Sequence, residues 1–295
     1  MTKDRMIRAK AALVLACLLW SGNFVVGRAM RGEIDPASLN ALRWSLALIV
    51  FAPLAMGSFR KKWRLAMFHW RLILAMAATG VVGFQFALYT ALRTTPVANS
   101  VLLLAVTPLL IVASSALLGK GSLTPRRIAA LALSLLGVAT LLGNGDPRAV
   151  LAFDLGQGDL WLLGAVTCWT IYTQLLRATP KELPGDVTLF ASMLVGVPLL
   201  WSLWLISPTV PMAQFPAQVW IGILYVGLGA ALLAFIAWGY GVKGVGPDSA
   251  GLFLNLMPVF SIALAFIFLG EGIGWGQLSG AALILAALIL GGRGK

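Results

Sequence analysis

Trp20 and Asn23 stand three residues apart, as do Trp169 and Tyr172, while Gln85 and Tyr89 stand four apart. At these spacings each pair shares one face of a helix. Thr107 immediately precedes Pro108, and Asn255 lies three residues before Pro258. Trp238, inside the apolar run 218–242, joins the same set. All of them sit in stretches that are otherwise almost wholly apolar. Amide, hydroxyl and indole groups in such surroundings need partners and therefore face the interior of a helix bundle. Rings form an apolar wall there, and amides with proline-freed backbone groups take polar ends, a combination suited to a small amphiphile. The same groups serve equally well as hydrogen bonds between helices, with no ligand involved. Other chemistry lacks its residues. The only histidine, His69, falls in a basic loop, and no carboxylate pair lies inside an apolar run. Cys17 and Cys168 have no metal-ligand spacing and no disulfide framework. No catalytic cluster, metal site or cofactor site is expected, so an intramembrane enzyme is disfavoured.

The elements that must position these residues follow from composition. Of 295 residues, 60% are hydrophobic and 11% charged, against about 45–50% and about 25% in ordinary soluble domains. A bilayer core of about 30 Å takes roughly 20 helical residues. Ten runs qualify: 9–27, 37–56, 71–92, 97–118, 126–142, 159–177, 187–206, 218–242, 249–269 and 274–291. Asp35-Pro36, Thr95-Pro96 and Thr124-Pro125 each place a capping side chain before a first-turn proline. No run alternates as a strand would. The net charge of +12 reflects topology rather than a nucleic-acid partner, because the bases cluster in short segments between apolar runs. With the N-terminus inside, seventeen Lys and Arg fall inside and only Arg28, Arg31, Arg93 and Arg148 outside. Both termini are therefore expected in the cytoplasm.

The two halves echo one another at an offset of about 150. "LLWSGNFVVGR" (18–28) aligns with "TCWTIYTQLLR" (167–177), and Pro108 aligns with Pro258. Five spans per half is an odd number, so the second half enters from the opposite face. The expected fold is an all-α integral membrane protein of ten transmembrane helices in two inverted five-helix repeats, 1–143 and 157–295, joined by a periplasmic linker at 144–156. Inverted repeats with interrupted helices at matching positions are common in secondary transporters, which hold substrate near the midplane. Pro108 and Pro258 are then expected to bend the fourth and ninth spans as hinges.

"LLWSGNFVVGR", "LRWSLA" (42–47), "GDLWLLGAVTCWTIYTQLLR" (158–177) and "FLGEGIGWGQLSGAALILAALIL" (268–290) together resemble the EamA family of the drug/metabolite transporter superfamily, over nearly the whole chain. Within it, the chain is similar to YddG-type amino-acid exporters of bacterial inner membranes. The resemblance implies alternating-access export of aromatic or other neutral amino acids or similar metabolites, with the bilayer as surroundings and the oligomeric state open. A multidrug or sugar-type carrier of the same superfamily is the alternative. Lys120 stands where the second half has Glu271, so a role shared by those two positions does not follow.

Three further expectations concern depth. Arg43, inside the second span, either snorkels outward toward Glu33 or Asp35 or binds a carboxylate. Glu271 falls just past the ninth span, as a loop charge or a gate. Trp44, Trp161, Trp201, Trp204, Trp220 and Trp275, near span ends, are expected as interfacial anchors.

Overall fold

The structure, a computed structural model, describes residues 3–30, 32–91, 94–95, 103–119, 124–143, 145–146, 156–207, 209–269 and 273–292. Lys120, Glu271, Pro96 and the start of the fourth expected span lie outside them. So does most of the 144–156 linker. Among the described residues there is no β-strand. The helices run in order α1 (Lys3–Ala29), α2 (Pro36–Phe68), α3 (Trp70–Met76), a π-helical segment (Ala77–Gly83), α4 (Phe84–Ala91), α5 (Thr107–Leu117) and α6 (Pro125–Leu142). They continue as α7 (Gln157–Ala178), α8 (Gly185–Ile206), α9 (Ala217–Leu224), a second π-helical segment (Tyr225–Leu233), α10 (Ala234–Val245), α11 (Pro247–Phe253), α12 (Leu256–Leu269) and α13 (Trp275–Gly292).

Seven helical stretches are long and apolar enough to cross a membrane, and Thr107–Leu117 and Trp275–Gly291 are shorter apolar helices. The 22-residue α7 occupies the sixth expected run; Asp159, Thr167, Thr170, Thr173, Gln174 and Arg177 lower its mean hydropathy. The helix starts follow the capping chemistry. Asp35 accepts from the Ser38 backbone N–H at 2.8 Å ahead of Pro36, and Thr124 accepts from the Arg127 N–H at 3.3 Å ahead of Pro125. One boundary is far from its expected place. α2 continues to Phe68 rather than ending at 56, and its 33 residues span about 50 Å at 1.5 Å each. The exposed Arg60–Arg64 group therefore rides on the last turns of a helix instead of a loop.

Helices pair α13 on α6, α2 on α8, α1 on α10 and α4 on α7. The α6–α13 pair is close enough that only glycine fits at its crossing. A Cβ on Gly280 would lie 2.6 Å from the Leu141 backbone N and 2.7 Å from the Gly137 carbonyl.

The two prolines act one turn before themselves. Proline lacks an N–H, and its ring crowds the carbonyl four residues back. For Pro258 that carbonyl belongs to Leu254, and the helix breaks there between α11 and α12. The Leu254 carbonyl accepts from the Met257 N–H at 3.0 Å instead, and the Phe253 carbonyl accepts from the Cys17 Sγ of α1 at 3.1 Å. For Pro108 the corresponding carbonyl is that of Leu104, which accepts from the Thr107 hydroxyl at the start of α5.

The π-helical segments are not foreseen by the sequence. Ala77–Gly83 and Tyr225–Leu233 fall at matching positions of the two halves, in the third and eighth expected spans. A π-turn widens the helix and leaves carbonyls without their usual donors. One of these, on Ala230, accepts from the Trp20 indole N–H at 2.9 Å.

Candidate functional site

Where the interrupted helices meet α1, α4 and α7, they leave a cavity of about 60 Å³. Trp20, Asn23, Gln85, Thr107, Trp169, Asn255 and Pro258 line it, together with Phe84 and Ser261. Two amides of the first half, Asn23 and Gln85, both interruptions and the two repeat-related tryptophans thus converge on one space. Tyr89 stands one hydrogen bond behind the wall, and Pro108 is buried beside Thr107. Tyr172 and Trp238 belong to a layer of rings beneath it.

That layer closes one side of the cavity. Trp20 and Trp169 meet edge to face with centroids 5.0 Å apart. Both rings reach Phe235, at 5.9 Å and 5.5 Å, and Trp238, at 5.5 Å and 5.6 Å. Tyr172 completes the layer, 5.4 Å from Trp169. Beyond it opens a second space of about 330 Å³, walled by Tyr172, Leu176, Phe235, Asp186 and Lys243. The rings therefore divide a constricted cavity from a roomier vestibule toward the Arg177 and Lys243 ends of α7 and α10. Glycine makes room for one of them: a Cβ on Gly80, in the first π-helical segment, would collide with the Tyr172 ring.

The polar wall is organised by Arg43, which turns inward and not outward to Asp35. The Asp35 carboxylate is already occupied by Ser38 and by the Val210 N–H at 3.0 Å. The guanidinium of Arg43, 0% exposed, donates through Nη1 to Tyr89 Oη at 2.8 Å and to Gln85 Oε1 at 3.2 Å. Tyr89 in turn donates to Asn23 Oδ1 at 3.1 Å. Arg43 Nε and Nη2 are buried without a partner, and among the described residues no carboxylate pairs with it. The Arg127–Asp248 pair, at 3.0 Å, is the ion pair seen at the start of α11.

One expected anchor also lies elsewhere. Trp44 is 0% exposed and packs 4.9 Å from Phe235. Trp201 and Trp204 donate to Ser45 and Ser38 of α2, each at 2.9 Å. Trp161, Trp220 and Trp275 are exposed. On Asn255, Nδ2 donates to Ser134 Oγ at 2.6 Å, which leaves Oδ1 a buried acceptor with no partner. Phe84 and Ser261 line the cavity, and Phe235 and the Ala230 carbonyl of the second π-helical segment contact its Trp20 wall, without having been singled out by the sequence. The glycine-rich "ATGVVG" and "YVGLGA" were the available signal of the π-helical segments.

The comparisons with known proteins agree with this architecture. The family model described as the EamA-like transporter family matches residues 8–143 and again 156–292. The "Aromatic amino acid exporter YddG" of Ancylobacter novellus is 28% identical over 97% of this chain and 96% of that protein. The "Probable terminal-alkyne amino-acid exporter" of Streptantibioticus cattleyicolor is 27% identical over 97% of this chain and 94% of that protein. A solved crystal structure superposes with a TM-score of 0.77 at 23% identity, over 96% of this chain and 95% of that one, which establishes likeness of fold.

Proposed function

The chain belongs to the EamA-like transporter family, and from that premise we propose that it is an inner-membrane secondary transporter that exports small amphiphilic metabolites, namely aromatic or other neutral amino acids. The observation that carries this reading is the cavity itself. It has aromatic walls at Trp20, Phe84 and Trp169, amides at Asn23, Gln85 and Asn255, and both proline-linked interruptions at its edge. At about 60 Å³ the cavity is too constricted in this state for an aromatic amino acid; once it widens on opening, substrate rings stack on the wall and the amides hold the polar end. The names of two relatives as amino-acid exporters support the same substrate class.

In this reading the chain forms ten spans in two inverted five-helix repeats, with both termini cytoplasmic. Alternating access opens the cavity in turn to each side by rocking one repeat against the other. The ring layer is then the closed gate on the Arg177 side, and Pro108 and Pro258 mark the hinges. Expression in cells stripped of their own aromatic exporters tests the function: growth on a toxic aromatic amino-acid analogue should be restored, and intracellular analogue should fall. Sensitivity equal to the empty vector, with the protein present in the membrane, would count against it.

The hinge reading gives a second expected result. Pro258→Ala restores an N–H aimed at the Leu254 carbonyl and favours a continuous helix. The variant should fold with at least parental stability, since strain kept at a functional site costs stability. Its turnover should drop several-fold in an exchange assay, with the half-saturating concentration changed much less. Parental turnover would reduce Pro258 to a packing feature.

A further inference from the structure

Arginine only donates hydrogen bonds, and this fixes the direction of the whole polar wall. Because Arg43 donates to Tyr89 Oη, the Tyr89 proton goes to Asn23 Oδ1. Because Arg43 also donates to Gln85 Oε1, both amide oxygens are occupied. The NH₂ groups of Asn23 and Gln85 are left as the free donors of two cavity-lining side chains. Behind them lies a fully buried cation with two nitrogens unpartnered and no counter-ion among the described residues. A buried charge left uncompensated is destabilising, and an ionisable group inside a membrane bundle marks a functional site. Across the cavity the polarity reverses. Asn255 spends its NH₂ on Ser134 and presents a buried, unpartnered Oδ1 acceptor.

We infer that the wall formed by Asn23 and Gln85, backed by Arg43, is a carboxylate-recognition site, and that Asn255 Oδ1 receives the substrate's ammonium group. This assignment rests on the exporter reading above and adds the orientation of the substrate. The carboxylate of a zwitterionic amino acid points to α2 and α4, its ammonium to the α11–α12 break, and its side chain to the Trp20, Phe84 and Trp169 rings. The entering carboxylate takes the two amide donors and brings its charge against the guanidinium, which then has its counter-ion. Specificity follows, because an amino-acid amide or ester presents no anion to this wall.

Binding to detergent-purified protein, read as a thermal shift, tests the site without requiring transport. L-phenylalanine and 3-phenylpropionate at millimolar concentration should both raise the midpoint, phenylalanine more. Phenylalanine amide should require at least tenfold higher concentration for the same shift. Arg43→Gln should abolish the preference for acid over amide, and Asn255→Leu should remove the advantage of phenylalanine over 3-phenylpropionate. Equal shifts for acid and amide in the parent chain would overturn the assignment, as would absence of a shift with either carboxylate. An Arg43→Gln variant that kept the parental preference would do the same. Should that variant fail to fold, the acid-to-amide comparison in the parent chain decides alone. A carboxylate-dependent shift in a protein that exports no amino acid would sink the exporter reading and leave this site standing. Export without discrimination between acid and amide would do the reverse.

Discussion

Gly280→Leu is expected to abolish correct assembly of the bundle. At Gly280 the neighbours are backbone atoms, the Leu141 N at 2.6 Å and the Gly137 carbonyl at 2.7 Å from a modest Cβ. A flexible side chain would rotate away, but a helix backbone does not. The α6–α13 pair must separate by more than an ångström, and the packing between the matched segments separates with it. Overpacking of a core typically costs about 1–3 kcal/mol, and an obstruction against backbone belongs at or above the upper end of that range. Loss of monodisperse protein on detergent extraction, or a large fall in the thermal midpoint, is the readout. Gly164 provides the control, because a Cβ there meets nothing within 4 Å. Gly164→Ala should be neutral or stabilising by up to about 1 kcal/mol, the ordinary helix-propensity gain. A parental midpoint for Gly280→Leu would show that the two helices are not in close contact.

Trp169→Ala is expected to lower stability by about 3–5 kcal/mol, the usual range for aromatic truncation in a packed interior. It should also reduce exchange at least tenfold, since the ring both walls the cavity and touches Trp20, Phe84, Tyr172, Phe235 and Trp238 in the dividing layer. Phenylalanine substitutions separate ring packing from hydrogen bonding. Trp169 Nε1 has no partner, so Trp169→Phe loses ring area but no bond. Trp20 Nε1 holds the Ala230 carbonyl at 2.9 Å, so Trp20→Phe leaves a buried acceptor unpaired at a cost of about 1–3 kcal/mol. The expected order of stability is Trp169→Phe above Trp20→Phe, with Trp169→Ala lowest. Equal midpoints for the two phenylalanine variants would mean that the indole bond to the π-helical segment contributes nothing.

Much of the molecule was legible because membranes impose simple rules. Apolar run length located the helices, Asp35 and Thr124 marked two of their starts, and the paired prolines located the interruptions. The spacing of Trp20 with Asn23, and the position of Asn255 before Pro258, brought cavity residues into view. What stayed hidden depends on direction and on tertiary partners. In a bilayer both the lipid-facing and the core-facing sides of a helix are apolar, so periodicity does not say which way Trp44 or Arg43 turns. Trp44 sits near a helix start, as an interfacial anchor does, yet packs on Phe235. Arg43 had Asp35 within plausible reach along the helix, but Ser38 and the Val210 N–H already occupy that carboxylate. The π-helical segments left only an ambiguous mark. A glycine-rich apolar stretch is compatible with ordinary helix, and the choice is made by partners such as Trp20 and Tyr172 that lie far away in the chain.

The central claim is that this cavity carries an amphiphilic amino acid from one side of the membrane to the other. The most direct measurement is counterflow in proteoliposomes preloaded with unlabelled L-phenylalanine and diluted into trace labelled L-phenylalanine. The account predicts a transient uptake of label well above that of protein-free liposomes, at least tenfold reduced in Asn23→Ala and Gln85→Ala reconstituted in equal amounts. No counterflow with any neutral amino acid, from protein shown to be folded and inserted, would contradict it. So would parental counterflow in both cavity variants.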